Sequence, residues 1–307
     1  MLQKASHLWI TKDAKNNLQG KMSYKKWIGI FSILFALMLL HGRTSTQAAP
    51  YKTWNVYGLS QGQKAGNTRF RFADGKLYVS RDGGEEKALI LAEGTASLGG
   101  RIVTNGNWIY YTTTEKYNDR AYSQGIMHRI KADGASKKKL MTIRIDSSEP
   151  VFELAGYYGG RLYYIQADEA AEISCPFYCF DLKNKKAKKV VKKDSGTVYQ
   201  YGKYFFMNAA TGNTFPRPFT IYNAKTGKAN VFTKCGDIYF YKKGRIYYSE
   251  LKRKPDGLYQ AAVKRIDLDG KNKKTLARMS NIRYAFELTD RYVKYTDEVG
   301  KNHVKRF

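Results

Sequence analysis

A short aromatic segment that recurs along the chain constrains its fold more than any other feature. Its copies are Gly-Lys-Leu-Tyr-Val (75–79), Asn-Trp-Ile-Tyr-Tyr (107–111), Gly-Arg-Leu-Tyr-Tyr (160–164), Gly-Lys-Tyr-Phe-Phe (202–206), Gly-Arg-Ile-Tyr-Tyr (244–248) and Asp-Arg-Tyr-Val-Lys-Tyr (290–295). Equivalent aromatic residues are 32, 53, 42, 42 and 45 positions apart. This spacing is close to the roughly 40 to 45 residues of a four-stranded propeller blade, so the repeat predicts an all-β β-propeller.

A second recurrent element lies downstream of four of these segments. It comprises Arg-Ile-Lys-Ala-Asp-Gly (129–134), Phe-Asp-Leu-Lys-Asn (180–184), Ile-Tyr-Asn-Ala-Lys-Thr-Gly (221–227) and Arg-Ile-Asp-Leu-Asp-Gly (265–270). In each copy an apolar residue is ten positions ahead of an apolar residue of the next segment, as Ile130 is ahead of Leu140. Asp-Gly supplies the positive φ angles of tight hairpin turns. We therefore predict two strands joined by a tight turn in every unit.

Six aromatic segments predict six four-stranded blades. The last copy is short, while residues 52–57 and 68–73 have the character of strands without a blade of their own. Pairing of these N-terminal strands with the last blade would close the ring and cover exposed strand edges. We therefore predict a six-bladed ring closed by N-terminal strands. The Tyr-Tyr pairs should then pack between blades, since strand neighbours point to opposite faces.

The repeats also resemble a known class of propeller. Trp-Ile-Tyr-Tyr-Thr (108–112) with the element at 129–134, and Arg-Ile-Tyr-Tyr-Ser (245–249) with that at 265–270, are similar to repeats of low-density-lipoprotein-receptor-type propellers. The repeats also resemble those of bacterial exported domains of unknown function that are described as similar to that propeller. The resemblance covers roughly residues 68–307. Those repeats carry Tyr-Trp-Thr-Asp where this chain has Tyr-Tyr, so the resemblance implies the fold and transfers no ligand.

The N-terminal residues predict export. Two lysines after Met22 precede an apolar run at residues 27–40, which is shorter than the roughly 20 residues that a membrane-spanning helix needs. Small residues then predict cleavage between Ala48 and Ala49. A retained segment would instead anchor the protein in the membrane. We expect a secreted or cell-envelope protein.

This interpretation divides the chain into three parts. Residues 1–21 are an unstructured extension, or follow an upstream start that is not used. Residues 22–48 are the signal peptide, and residues 49–307 form a single β-propeller domain.

The chain is strongly basic. Lys and Arg total 54 and Asp and Glu total 26, and from Ala49 onward 47 basic and 25 acidic residues leave an excess of 22. Such an excess indicates an anionic partner such as a cell-envelope polymer or a membrane surface, and export argues against nucleic acid. Another protein is the alternative partner.

Lysines concentrate in the ten-residue step of each unit. They are Lys137, Lys138, Lys139, Lys183, Lys185, Lys186, Lys188, Lys189, Lys225, Lys228, Lys271, Lys273 and Lys274. Equivalent turns of successive blades emerge on one face, so we predict a basic rim that binds a polyanion. The alternative is that these lysines only solubilise turns and protect strand edges. In the longer loops, Tyr117, Tyr122, Phe215 and Arg217 are further candidates for ligand contact.

Catalytic chemistry is not indicated. The sequence lacks Gly-x-Ser-x-Gly, His-Glu-x-x-His and phosphate-binding glycine motifs. His128 and His303 follow the signal region, and neither accompanies a nucleophile motif. No cofactor or metal is expected. The function predicted is therefore non-catalytic binding or scaffolding through one propeller face. The alternative is a propeller-fold glycan hydrolase or lyase, which would need two carboxylates about 5 to 10 Å apart across the central channel.

Several acidic residues are candidates for such a pair. The candidates are Glu153, Asp168, Glu169, Glu172 and Glu250. None recurs at a spacing that fixes a pair on one face.

Three cysteines, Cys175, Cys179 and Cys235, are too few and too irregular for a disulfide framework or a zinc site. We expect buried or unpaired thiols. A Cys175–Cys179 bridge would require Pro176 to bend the segment, because an extended strand holds these positions too far apart.

Overall fold

Antiparallel sheets follow one another along the chain in the computed structural model. It describes residues 51–116, 122–146, 151–166, 175–191, 196–208, 218–233, 235–242 and 244–307, with backbone alone at 235–242 and 284–286. One short 3-10 helix spans Tyr57–Gln61. All other regular elements of these residues are strands.

Five sheets account for these strands, and we number them in the order in which they pack. Sheet I contains β2 (Gln63–Ala65), β3 (Thr68–Ala73), β4 (Lys76–Arg81) and β5 (Lys87–Leu89). Sheet II contains β1 (Lys52–Asn55), β7 (Arg101–Thr104), β8 (Trp108–Lys116), β9 (Ser123–Lys131) and β10 (Lys137–Ile145), with β6 (Ser97–Leu98) paired to β8.

The remaining three sheets are continuous meanders. Sheet III contains β11 (Phe152–Tyr158), β12 (Arg161–Gln166), β13 (Phe177–Asp181) and β14 (Lys186–Val191). Sheet IV contains β15 (Val198–Tyr201), β16 (Tyr204–Asn208), β17 (Phe219–Asn223) and β18 (Lys228–Phe232). Sheet V contains β19 (Cys235–Lys242), β20 (Arg245–Arg253), β21 (Tyr259–Asp267), β22 (Lys274–Leu288), β23 (Tyr292–Asp297) and β24 (Asn302–Arg306).

The aromatic pairs of the repeat hold neighbouring sheets together. In β8, Tyr111 belongs to the core between sheets I and II, while Tyr110 belongs to the core between sheets II and III. In β12, Tyr163 likewise faces sheet IV and Tyr164 faces sheet II. Because strand neighbours point to opposite faces, each pair fills two cores, which confirms the predicted packing between blades.

The tight turns that follow β9, β13, β17 and β21 share one repeated contact. In each, the second residue of the turn donates its N–H to a carbonyl of the hairpin that precedes β8, β12, β16 or β20 of the same sheet. The bonds are Ala132 to Asn107 at 2.9 Å, Leu182 to Gly160 at 3.1 Å, Ala224 to Lys203 at 2.8 Å and Leu268 to Gly244 at 3.2 Å. The four copies of the second sequence element thus form one structural motif.

These turns also pack against the sheet before them. Leu182 shares a core with Trp108 of sheet II, and Leu268 shares one with Tyr201 of sheet IV. Turns of successive sheets therefore emerge on the same side, which we call the turn face. Consecutive antiparallel sheets, packed face to face in this register, give the chain an all-β fold of the β-propeller type.

The predicted count of six blades is not confirmed, since the described residues form five sheets. Four aromatic segments fall on equivalent strands, β8, β12, β16 and β20, which follow β7, β11, β15 and β19 in antiparallel pairing. The segment at 75–79 falls on β4, the third strand of sheet I. The segment at 290–295 falls on β23. It belongs to sheet V and starts no sheet of its own, because the 15-residue strand β22 pairs with both β21 and β23.

The prediction that N-terminal strands pair with the final blade is wrong. Strand β3 (Thr68–Ala73) pairs with β2 and β4, and β1 pairs with β7. The local reason is the hairpin between β3 and β4, where Asp74 and Gly75 have φ angles of 51° and 72°. Two consecutive positive φ angles are typical of the turn that joins adjacent antiparallel strands directly.

Residues 49–307 form one compact unit, and the predicted signal peptide and cleavage site at Ala48 and Ala49 lie outside the described residues. No helix in the described part of the chain is long and apolar enough to cross a membrane. Cys175 and Cys179 are both buried in the core between sheets III and IV, as predicted. Burial raises the pKa of the Cys179 thiol. The side chain of Cys235 is not among those described.

Candidate functional site

The predicted basic residues lie on the turn face and on the outer strands beside it. Strands β10, β14 and β18 are the outermost strands of sheets II to IV, and the first half of β22 pairs with β21 alone. The predicted lysines, on these strands and in the turns before them, are all exposed: Lys137, Lys138, Lys139, Lys183, Lys185, Lys186, Lys188, Lys189, Lys225, Lys228, Lys271, Lys273 and Lys274. We call this set the lysine rim.

Acidic groups on the turn face are largely engaged in the turns themselves. The Oδ1 atom of Asp181 accepts the N–H groups of Lys183 at 2.9 Å and Asn184 at 3.0 Å, and these bonds lower the pKa of its carboxyl group. Asp181 also pairs with Arg161 at 3.5 Å, as Asp267 pairs with Arg245 at 3.5 Å in sheet V. Asp181 and Asp267 thus stabilise the hairpins of sheets III and V.

Two members of the rim are neutralised. Lys137 Nζ lies 2.8 Å from Glu93 Oε1, and Lys273 Nζ lies 2.9 Å from Glu250 Oε1. Hydrogen bonds from Lys264 and Lys273 outweigh the burial of Glu250 and lower its pKa. The rim is therefore uneven in charge, with its strongest positive stretch on sheet III.

In that stretch, no carboxylate of the described residues lies within ion-pair distance of Lys185, Lys186 or Lys188. The ammonium group of Lys189 lies 5.5 Å from the ring centroid of Tyr178. The alternation of β14 places Lys188 opposite Cys179 and Lys189 opposite Tyr178, so the cations emerge on both sides of the strand.

The loop candidates are only partly described. Tyr122 is half-buried, and the Arg144 guanidinium lies 4.3 Å from its ring centroid, which is a cation–π contact. Tyr117, Phe215 and Arg217 lie outside the described residues. Asp168, Glu169 and Glu172 do so as well.

A cavity of about 620 Å³ lies along the inner strands of sheets II, III and IV. Its wall consists of residues 51–55, residues 197–202, Arg101 and Ala155. We call it the inner cavity. The sequence indicates only one part of this cavity, the predicted strand at residues 52–57 that has no blade of its own. The other wall residues belong to separate repeats, so no local pattern brings them together.

An ion pair bounds this cavity. Arg101 Nε lies 3.3 Å from Glu153 Oε1 of sheet III, and the Arg101 guanidinium also donates a hydrogen bond to the carbonyl of Val198 in sheet IV. The two side chains are 18% and 26% exposed. Burial outweighs the positive charge of Arg101 and raises the pKa of Glu153. Arg101 thus connects three sheets at their inner strands.

Glu153 also lines a second cavity, of about 380 Å³. It is the one carboxylate among the described residues of that wall, and the described wall residues of the inner cavity include none. Glu250, the other described candidate, pairs with Lys264 and Lys273. The described residues of these cavities therefore do not include the pair of facing carboxylates that a glycosidase uses.

His128 and His303 contact neighbouring side chains of their own sheets. His128 Nε2 lies 2.9 Å from the Thr113 hydroxyl, and its ring stacks on Tyr111 with centroids 4.9 Å apart. Burial lowers the pKa of His128 to about 4. His303 Nε2 lies 2.6 Å from Asp297 Oδ2. Neither histidine lines the two cavities above, and no cluster of metal-ligating side chains occurs in the described part of the chain.

No protein-family model matches the chain, and no curated protein matches its sequence. Solved structures to which it is similar include an oligogalacturonate lyase in complex with manganese, at 9% identity, with 79% of this chain and 76% of that one covered and a TM-score of 0.42. TolB from Acinetobacter baumannii is 12% identical, with coverages of 75% and 58% and a TM-score of 0.37. The β-propeller domain of the Trilobed protease from Pyrococcus furiosus is 13% identical, with coverages of 66% and 66% and a TM-score of 0.38. The chain thus spans 58% of that TolB and 66% of that propeller domain.

Proposed function

We propose that the protein is a non-catalytic binding or scaffold protein outside the cytoplasm, whose turn face engages an anionic cell-envelope polymer. The observation that carries the proposal is the lysine rim, in which exposed lysines recur at one position of four sheets while the nearby carboxylates are engaged in turns. Repeated positive charge on one face adds to a common potential and attracts polyanions. Anionic lipid headgroups at a membrane surface would meet the same face.

Export belongs to the same proposal. It is supported by the lysines after Met22 and the apolar run at residues 27–40, and mass spectrometry of the exported protein should find an N-terminus near Ala49. A mature protein that still contains Trp27 would instead be membrane-anchored. The likeness to low-density-lipoprotein-receptor-type propellers is likewise part of the proposal, supported by the repeated Ile-Tyr-Tyr and Asp-Gly elements.

A glycan hydrolase or lyase is the alternative, and no observation specifically favours it. The walls of the two cavities contain one carboxylate between them in the described residues, Glu153, and it is paired with Arg101. A second protein as partner in place of a polymer would use the same face.

The test compares the removal of three positive charges from the turn face with the removal of three positive charges elsewhere. A variant with Lys185, Lys186 and Lys188 changed to Gln removes three exposed rim lysines of sheet III. It leaves Lys189, which contacts the Tyr178 ring, in place. The matched control changes Lys116, Lys252 and Arg253 to Gln, three exposed cations at the opposite ends of β8 and β20. Both variants lose the same net charge.

We expect the turn-face variant to elute from a heparin column at clearly lower salt than the control, with both proteins melting like the wild type. Salt acts on these contacts because the Debye length is about 8 Å at physiological ionic strength. Equal elution of the two variants would mean that only net charge matters, and the turn face would then not be a binding site.

A further inference from the structure

The inner cavity carries a second inference, because its charges are all of one sign. Among the described residues of its wall, Lys52 and Arg101 are the charged ones, and none is a carboxylate. In a partly enclosed space such charges are screened less than on an open surface. Glu153 pairs with Arg101 at 3.3 Å and offsets part of its positive charge.

Lys52 is the accessible cation of the pair. It is exposed, and its Nζ donates one hydrogen bond to the carbonyl of Lys64 at 3.3 Å. An ammonium group has three donors, so two remain for a ligand. In the described residues no carboxylate lies within ion-pair distance of Lys52. Lys52 and Asn55, which is paired with Arg101 in the ladder, are three positions apart on β1, which corresponds to about 10 Å along the strand.

The wall also offers groups that suit sugar rings. Tyr199 is 39% exposed, which is unusual for a large ring in this chain, and it lies on β15 at the inner edge of sheet IV. The side chains of Asn55 and Thr197 and the edge backbones of β1 and β15 add hydrogen-bonding groups. A cavity of about 620 Å³ is large enough for a ligand of several rings.

We propose that the inner cavity binds a short acidic oligosaccharide, with Lys52 and Arg101 facing its anionic groups and the Tyr199 ring against a sugar face. The proposal deepens the proposed function, because a chain end of the polymer attracted by the turn face would enter here. It uses different residues, so either proposal can fail without the other. Carboxylate and phosphate groups present the same charge-assisted acceptors, and the test separates them.

The test is calorimetric titration of the purified protein with three probes. They are a uronate-containing tetrasaccharide, a glycerol-phosphate tetramer and a neutral glucose tetrasaccharide. We expect at least one acidic probe to bind with one-to-one stoichiometry and the neutral probe to bind at least about ten-fold more weakly. The acidic probe that binds identifies the anionic group.

Two surface substitutions and one control complete the test. Lys52→Gln and Tyr199→Ser should each weaken binding by about ten-fold, because one removes a charged donor and the other a stacking face. The Lys185, Lys186 and Lys188 variant should bind the short probe like the wild type. Binding of neither acid, equal binding of the neutral probe, or unchanged affinity in both substitutions would overturn the proposal.

Discussion

The side-chain amide of Gln200 is hydrogen-bonded twice to the backbone of Tyr157 in the neighbouring sheet. Its Nε2 atom donates to the Tyr157 carbonyl at 2.6 Å, and its Oε1 atom accepts the Tyr157 N–H at 3.0 Å. Strand β11 is the inner edge of sheet III, so these backbone groups have no further strand to pair with. The amide takes the place of that strand and joins sheets III and IV beside the inner cavity.

The same relationship explains Gly156. A Cβ atom at this position would lie 1.9 Å from Gln200 Oε1 and 3.0 Å from a ring carbon of Phe205. The glycine therefore leaves the space into which the amide reaches, next to a β-bulge between Leu154 and Gly156.

We predict that Gln200→Ala lowers the free energy of unfolding by about 2 kcal/mol, because it leaves two backbone groups of Tyr157 unpaired. Gly156→Ala should destabilise the protein as well, through the close contact with the amide. The double variant should lose less than the sum of the two single losses, since removing Gln200 relieves much of the clash. Urea denaturation of the four proteins measures this coupling, and strict additivity would contradict it.

A second prediction concerns Tyr111, which is fully buried and whose hydroxyl has no hydrogen-bond partner among the described residues. Removing an unsatisfied buried hydroxyl is neutral or stabilising, so Tyr111→Phe should leave the free energy of unfolding unchanged or raise it by up to about 1 kcal/mol. The matched control is Tyr157→Phe, whose hydroxyl accepts the N–H of Gly160 at 3.0 Å. We expect that control to lose about 1 kcal/mol. A clear loss of stability in Tyr111→Phe would indicate a buried water on that hydroxyl.

The repeat was sufficient to predict the strand order within each meander, because aromatic pairs and Asp-Gly turns are local signals. It could not predict where a sheet ends. The segment at 75–79 has the composition of a second strand, but its position in sheet I is set by the pairing of β2 with β3. Likewise β22 continues through residues 280–288, and nothing in its local pattern distinguishes a long strand from two short ones.

The sequence predicts those parts of the candidate site that recur in every repeat. The lysine rim follows from the ten-residue step and the turn, both readable in the sequence. The ion pairs of Lys137 with Glu93 and of Lys273 with Glu250 join residues 44 and 23 positions apart, so only the folded chain reveals them. The inner cavity depends on β1, β7 and β15 meeting in space, which no single repeat encodes.

A third prediction tests the turn motif. Leu268 is buried in the core between sheets IV and V, where it lies in one cluster with Tyr201 and Tyr204. Leu268→Ala should lower the free energy of unfolding by about 2 to 4 kcal/mol through loss of buried area and creation of a cavity. Val299→Ala is the control, because Val299 is 79% exposed and its truncation should change stability by less than about 0.5 kcal/mol. Equal small effects would mean that the turn does not hold the two sheets together.

The last prediction concerns pH and His128. Burial, and after it the positive charges of Lys137 and Lys139, lower the pKa of His128 to about 4, while Glu93 opposes the shift. In the unfolded chain a histidine titrates near pH 6.5. Above that pH the side chain is neutral in both states, so His128 contributes nothing to the pH dependence of stability. As the pH falls from about 6.5 toward 4, the unfolded chain binds a proton that the native protein does not, so stability is lost in this window.

His128→Gln removes this titration while a side-chain amide can still reach the Thr113 hydroxyl. Carboxylates such as Asp181 titrate alike in both proteins, so their contributions cancel in the difference between them. We expect the free energy of unfolding to fall less between pH 7 and pH 4.5 in His128→Gln than in the wild type, measured by urea denaturation at both pH values. If the difference between the two proteins is the same at pH 7 and pH 4.5, His128 takes up its proton equally in the folded and unfolded states, and its burial between Tyr111 and the lysines has no effect on acid stability.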